Sequence, residues 1–134
     1  MQLDELEAIV FDLGNVLVPL SFDGLTSLLS KDIKHLGQNE YLAQFPMQAF
    51  ERGEISAAAF YKEIKYLLRT ECTESDFWRA FRSVPQHPPQ NLLPLLKELK
   101  KVKPLYLLSN TNEVHWGEQN LRLSEFFALF EKCF

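Results

Sequence analysis

The stretch Ala8-Ile9-Val10-Phe11-Asp12-Leu13-Gly14-Asn15-Val16-Leu17-Val18 constrains this chain more than any other. A short apolar run, Ala8 to Phe11, delivers one carboxylate, Asp12. A glycine turn and a second apolar run, Val16 to Val18, follow. A continuous apolar run bounded by a turn signal reads as a strand buried on both faces. Such strands belong to parallel sheets, whose ligands sit just beyond the carboxyl ends of the strands. Asp12 stands at that end, either as a nucleophile or as an aspartate that supplies hydrogen bonds to a turn.

The elements downstream decide what kind of sheet this is. Pro19 and Ser21 break the first strand, and a mainly helical stretch runs to about Val84. Leu25, Leu28, Leu29, Ile33 and Leu36 recur at helical spacing from Gly24, and Gly37 stands where a C-terminal cap is expected. Tyr41, Leu42, Phe45 and Phe50 form an apolar cluster interrupted at Pro46. Ser56 is an N-cap for a helix from Ala57 to Arg69 with Phe60, Ile64, Leu67 and Leu68 inward. Thr73 and Asp76 form a capping box that opens a helix from Glu74 to Phe81. The linker Pro85-Gln86-His87-Pro88-Pro89 follows.

Asn91 to Val102 then predicts an amphipathic helix with Leu92, Leu95, Leu96 and Leu99 inward and Lys97, Lys100 and Lys101 outward. Leu105 to Leu108 is a second strand, Asn120 to Phe130 a last helix, and Lys132-Cys133-Phe134 the start of a third strand. This order predicts an α/β fold with a Rossmann-like, three-layer parallel-sheet core, incomplete in this chain. A small α-helical cap is inserted after the first strand. The expected division is 1–20 and 85–134 as core and 21–84 as helical cap.

The chain has 134 residues, room for one domain with a real core. Eleven Phe, four Tyr and two Trp supply large side chains to fill that core. A net charge of −4 and a pI near 5.4 imply no basic surface, which argues against nucleic acid and anionic membranes as partners. Cys72 and Cys133 are too few and too far apart for a disulfide framework or a zinc site. The first residues are acidic, unlike a signal peptide, and no apolar run has the length of a membrane span. A cytoplasmic location is expected.

Two strand ends carry small polar residues: Asp12-Leu13-Gly14-Asn15 and Ser109-Asn110-Thr111-Asn112. In a parallel sheet both face one crevice. The first supplies a carboxylate; the second supplies a hydroxyl, amides and backbone N–H groups near a helix start, a cradle for phosphate. A carboxylate beside a phosphate repels it unless a cation intervenes, and Mg²⁺ binds carboxylate, carbonyl and phosphate oxygens together.

Val10-Phe11-Asp12-Leu13-Gly14-Asn15-Val16-Leu17 resembles the first motif of the haloacid dehalogenase (HAD) superfamily. Leu107-Leu108-Ser109-Asn110-Thr111-Asn112 resembles its second, at about the expected separation. With Glu51-Arg52-Gly53-Glu54-Ile55-Ser56 in the insert, the wording is most similar to the α-glucose-1-phosphate phosphatase branch. The resemblance implies a Mg²⁺-dependent phosphatase acting on a small phosphorylated metabolite such as a sugar phosphate. It implies that Asp12 attacks phosphorus, and that Asp12 and the Gly14 carbonyl hold Mg²⁺. It further implies that Ser109 and the Asn110 backbone hold the phosphoryl group, with Asn15 close enough to assist.

Two departures from the family pattern shape the expectations. Most of its phosphatases carry a second aspartate two residues after the nucleophile, where this chain has Gly14. General acid–base help is worth about 10²–10⁴-fold, so a good leaving group such as an anomeric phosphate is expected. The family's third motif, a lysine, and its fourth, an acidic pair, are expected beyond residue 134. The alternatives are a catalytically inactive truncated homologue or fragment that acts only by binding, and a 2-haloacid dehalogenase. With the strands that carry those motifs expected beyond residue 134, Ala8 to Phe11 is expected to be an open edge, so that the chain alone is marginally stable or covers the edge by self-association.

Each residue also has a plainer role to weigh. Ser109 is expected to cap the following helix as well as bind. His115 is expected to be packed, His35 and His87 to be on the surface, and Glu51 and Glu54 to form a solvated turn.

Overall fold

The computed structural model describes residues 5–29, 46–68 and 70–134. In chain order its elements are β1 (Ile9–Phe11), α1 (Asp23–Leu29), α2 (Met47–Glu51), α3 (Ala57–Leu68), α4 (Glu74–Arg82), α5 (Leu92–Val102), β2 (Leu105–Leu107), α6 (Glu113–Arg122), α7 (Ser124–Phe127) and β3 (Lys132–Cys133). The strands pair in parallel in the order β1-β2-β3, with Phe11 level with Leu107 and Leu107 with Cys133. This is the expected α/β fold, a Rossmann-like parallel sheet with helices inserted after its first strand. Two compact units emerge. One comprises Met1–Leu20, Pro85–Asn110 and Gly117–Phe134; the other comprises Ser21–Val84 and Thr111–Trp116.

In the sheet unit the opening strand is shorter than the apolar run suggests, and it is covered on one face only. Leu105 and Leu107 are fully buried, whereas Val10 is 60% exposed. Successive strand side chains point to opposite faces. Ile9 and Phe11 therefore share the packed face, where Phe11 meets the Phe130 ring edge-on at 6.3 Å. An apolar run does not by itself show that both faces of its strand are covered. Val16 to Val18 is no strand. The Leu13 carbonyl accepts the N–H groups of Leu17 and Val18, both at 2.9 Å, which closes a tight turn that buries Leu13, Leu17 and Val18. β2 ends at Leu107, and Leu108 is exposed.

On α5 the buried stripe centres on Leu96. At about 100° per residue, Leu95 falls outside that stripe and is 53% exposed, contrary to its expected inward position. The expected last helix is two, α6 and α7. Asn112 starts α6 early because its Oδ1 accepts the His115 N–H at 3.0 Å, an N-cap bond. Leu123 then leaves helical geometry (φ −122°, ψ 29°) and separates the two. Ser109 is not the cap, because the helix begins at Glu113 and Asn112 fills the position before it; the Ser109 N–H is donated to the Phe134 carbonyl at 3.2 Å.

A cluster of aromatic rings fills the helical unit. Phe50, Phe60, Phe77, Trp78 and Phe81 form its core with Leu25, Leu29, Ile64 and Leu68. Phe50 stacks on Phe60 with centroids 4.6 Å apart. Both expected caps are present. Ser56 Oγ accepts the Ala59 N–H at 3.2 Å. Thr73 Oγ1 accepts the Asp76 N–H at 3.1 Å and donates to Asp76 Oδ2 at 2.7 Å. Leu67 is 38% exposed, because the buried row of α3 runs through Phe60, Ile64 and Leu68 with Ala57 and Tyr61 on its other flank.

The later part of the helix expected from Gly24, its Gly37 cap, and His35, Tyr41, Leu42 and Phe45 lie outside the described residues. Among the described residues no helix is long and apolar enough to cross a membrane.

Candidate active site

Parallel pairing sets the carboxyl ends of β1 and β2 side by side, and the Leu108 N–H extends the ladder to the Phe11 carbonyl at 2.8 Å. Asp12 and Ser109 are the next residues beyond that rung. Asp12, Gly14, Leu20, Leu108, Ser109 and Asn110 line one cleft of about 470 Å³ within the sheet unit. Residues from the two polar strand ends are thus brought together.

Asn15 is not part of that lining. Its backbone is left-handed (φ 57°), a conformation asparagine tolerates better than most residues. Its Oδ1 accepts the Leu20 N–H at 2.9 Å, so this side chain ties the turn together. Through that bond it fixes the backbone of Leu20, an apolar wall of the cleft that the sequence patterns did not single out. Gly14 is hemmed in by the same residue: a Cβ there would lie 3.1 Å from Leu20 Cδ1.

The Asp12 side chain is exposed, and its Oδ1 accepts the Leu13 N–H at 2.6 Å. The bonds that close the turn run through the Leu13 carbonyl, the Asn15 N–H and the Val18 backbone, and none engages the Gly14 carbonyl. One carboxylate and one carbonyl that the bonds of this turn leave free are, at a cleft, hard oxygen donors suited to Mg²⁺, which keeps several waters and shares phosphate oxygens. Among the described residues no group of three or more His, Cys, Asp or Glu side chains gathers to hold a metal.

The helical unit has a smaller cleft of about 280 Å³, with Glu51, Ser56, Thr111 and Glu113 among its walls. Glu51 and Glu54 are exposed, and Glu54 is paired with Arg52 at 2.6 Å. The hydrogen bond from that guanidinium holds the Glu54 carboxyl below its usual range. His87 is exposed, and His115 is buried. Burial pushes the His115 pKa down and the Phe81 carbonyl partly offsets this; burial likewise pushes the Cys133 thiol up.

No protein-family model and no curated protein matches the chain. Solved structures do. The HAD family enzyme BT-2542 from Bacteroides thetaiotaomicron is 23% identical with a TM-score of 0.79, over 96% of this chain and 68% of that one. Its magnesium complex is 26% identical with a TM-score of 0.71, over 96% and 67% of the two chains. An aspartate-to-alanine mutant of it, in complex with magnesium and inorganic phosphate, is 25% identical with a TM-score of 0.71, again over 96% and 67%. A predicted HAD-like family hydrolase from Porphyromonas gingivalis is 22% identical with a TM-score of 0.63, over 96% and 65%. The chain therefore has the fold of HAD-type hydrolases and spans about two thirds of their length.

Proposed function

We propose that this chain is a HAD-type, Mg²⁺-dependent phosphatase that acts on a small phosphorylated metabolite, a sugar phosphate such as glucose-1-phosphate. The observation that carries this is the single cleft lined by Asp12, Gly14, Ser109 and Asn110 at adjacent carboxyl ends of β1 and β2. Neighbours of the same fold crystallised with magnesium and inorganic phosphate support it.

An exposed Asp12 carboxylate attacks phosphorus in line with the departing oxygen, giving an aspartyl-phosphate that water then hydrolyses. The Ser109 N–H is committed to Phe134, so Ser109 offers its hydroxyl and Asn110 its backbone N–H to the equatorial phosphoryl oxygens. Asn15 acts on the cleft through Leu20 rather than on the phosphate. The Asp12 carboxylate and the Gly14 carbonyl would hold Mg²⁺, which would supply positive charge to offset that of the phosphoryl group. Gly14 cannot donate a proton to the leaving oxygen, which favours substrates whose leaving group departs unaided.

The free edge of β1, which pairs only with β2 among the described residues, is proposed to pair with a second copy. Dilution-dependent sedimentation checks that part.

Hydrolysis of p-nitrophenyl phosphate with Mg²⁺ tests the nucleophile. Wild type is expected to turn over, and Asp12→Asn to lose about 10⁴-fold or more. Equal rates in the two would remove Asp12 from the mechanism.

A further inference from the structure

The backbone that leaves the cleft at Ser109 and Asn110 enters the helical unit at Thr111, and there Asn112 and His115 are buried together at 4% and 8% exposure. The His115 ring lies flat on Phe81, with centroids 4.3 Å apart and planes within 15°. Its Nε2 is 2.8 Å from the Phe81 carbonyl, which only accepts, so Nε2 carries a proton. Its Nδ1 is 3.1 Å from Asn112 Nδ2. Because Asn112 Oδ1 accepts the His115 backbone N–H, the amide is fixed with its NH₂ toward the ring. An NH₂ group only donates, so Nδ1 is bare and the ring neutral.

A second proton on this ring would set one N–H against another inside a packed site. Turning the Asn112 amide over would offer oxygen to the ring, yet strip the His115 backbone N–H of its acceptor. Each arrangement leaves one buried donor without an acceptor, either on the ring or on the backbone, and that is costly. The charged groups on the elements in contact are Glu74, Asp76, Arg79 and Arg82 of α4 and Glu113, Glu118 and Arg122 of α6. None of them is among the causes that set the proton affinity of the ring, which are burial and the Phe81 carbonyl.

We propose that Asn112 and His115 are positioning residues that form a pH-gated latch on the phosphoryl-binding segment. With the ring neutral, Thr111–Trp116 is seated on Phe81, and this anchors Ser109 and Asn110 from their C-terminal side. With the ring protonated the seat opens and phosphate is held less well. The latch rests on the assignment of Ser109 and Asn110 as phosphate-binding groups.

Nuclear magnetic resonance across a pH series, with and without inorganic phosphate, tests it. The His115 imidazole is expected to titrate below its ordinary range, and the backbone amides of Ser109 and Asn110 to shift with the same midpoint. Phosphate affinity is expected to fall below that midpoint. In Asn112→Asp a carboxylate accepts from the charged ring, so both midpoints rise together. In His115→Gln, which retains a donor for the Phe81 carbonyl, the step in the Ser109 and Asn110 amides disappears.

Amides that ignore the His115 midpoint in wild type, or that fail to follow it in Asn112→Asp, would overturn the latch. The wild-type titration decides the matter alone if a variant does not fold. Failure of the phosphatase assignment looks different: phosphate leaves the Ser109 and Asn110 amides unmoved at every pH, while those amides still track His115.

Discussion

Leu108 donates its N–H to the Phe11 carbonyl at 2.8 Å, and this last rung of the β1–β2 ladder lies one residue short of both Asp12 and Ser109. The separation of the proposed nucleophile from the proposed phosphate-binding groups is therefore set by main-chain bonds. It does not depend on the Asp12 side chain, which is exposed. Asp12→Asn is accordingly expected to keep its stability within about 0.5 kcal/mol of wild type while activity is lost. Thermal melts run beside the phosphatase assay check this. A large drop in stability would mean that the carboxylate holds the turn as well as the chemistry.

Asn15 works through two separable effects, its left-handed backbone and its bond to the Leu20 N–H. Asn15→Ala loses both, for an expected cost of about 1–3 kcal/mol. Asn15→Gly restores the backbone freedom and loses only the bond, for about 1 kcal/mol. Urea denaturation of the pair checks the order. A glycine variant as unstable as the alanine variant would show that the bond alone matters.

The contrast between Asn15 and Asp12 shows how far the sequence could be read. Spacing and residue type brought Asp12, Gly14, Ser109 and Asn110 to one cleft, because parallel pairing needs only the apolar runs and their polar ends to be in order. Patterns of type cannot say which polar side chain turns back on its own backbone, and Asn15 does so. The same limit applies to the helices. Leu95 and Leu67 fit an apolar spacing, yet the stripes centre on Leu96 and on the Phe60–Ile64–Leu68 row, a choice made by neighbours distant in sequence. The start of α6 was marked by Asn112, an N-cap type, though Ser109 fits the same description and only the fold shows that it stands too far ahead of Glu113.

In the proposed reaction Gly14 limits the chemistry, and Leu20 limits the remedy. A carboxylate at position 14 could protonate a poor leaving group, but the Cβ would crowd Leu20 Cδ1 at 3.1 Å. Gly14→Asp combined with Leu20→Ala is expected to raise hydrolysis of simple alkyl phosphates, by up to about 10²–10⁴-fold, with little gain on aryl or anomeric phosphates. Steady-state rates on a leaving-group series check this. A uniform change across the series would mean that proton transfer is not what Gly14 withholds.

Titration of His115 is also expected to be visible in global stability. The folded ring binds its proton more weakly than the ordinary value of 6.5 because it is buried. Below 6.5 the unfolded chain therefore takes up more protons than the folded one, and stability rises with pH where that is so. The contribution of the neutral ring is complete above 6.5. It is lost as the pH falls toward the lowered folded value, and levels off beneath it. His115→Phe keeps a ring on Phe81 but cannot titrate, and it leaves the Phe81 carbonyl without its donor, so it should be less stable by about 1–3 kcal/mol at neutral pH. The gap between wild type and this variant should narrow as melts are taken from pH 8 down to about pH 5. A gap of constant size across that range would show that the buried imidazole packs here without sensing protons.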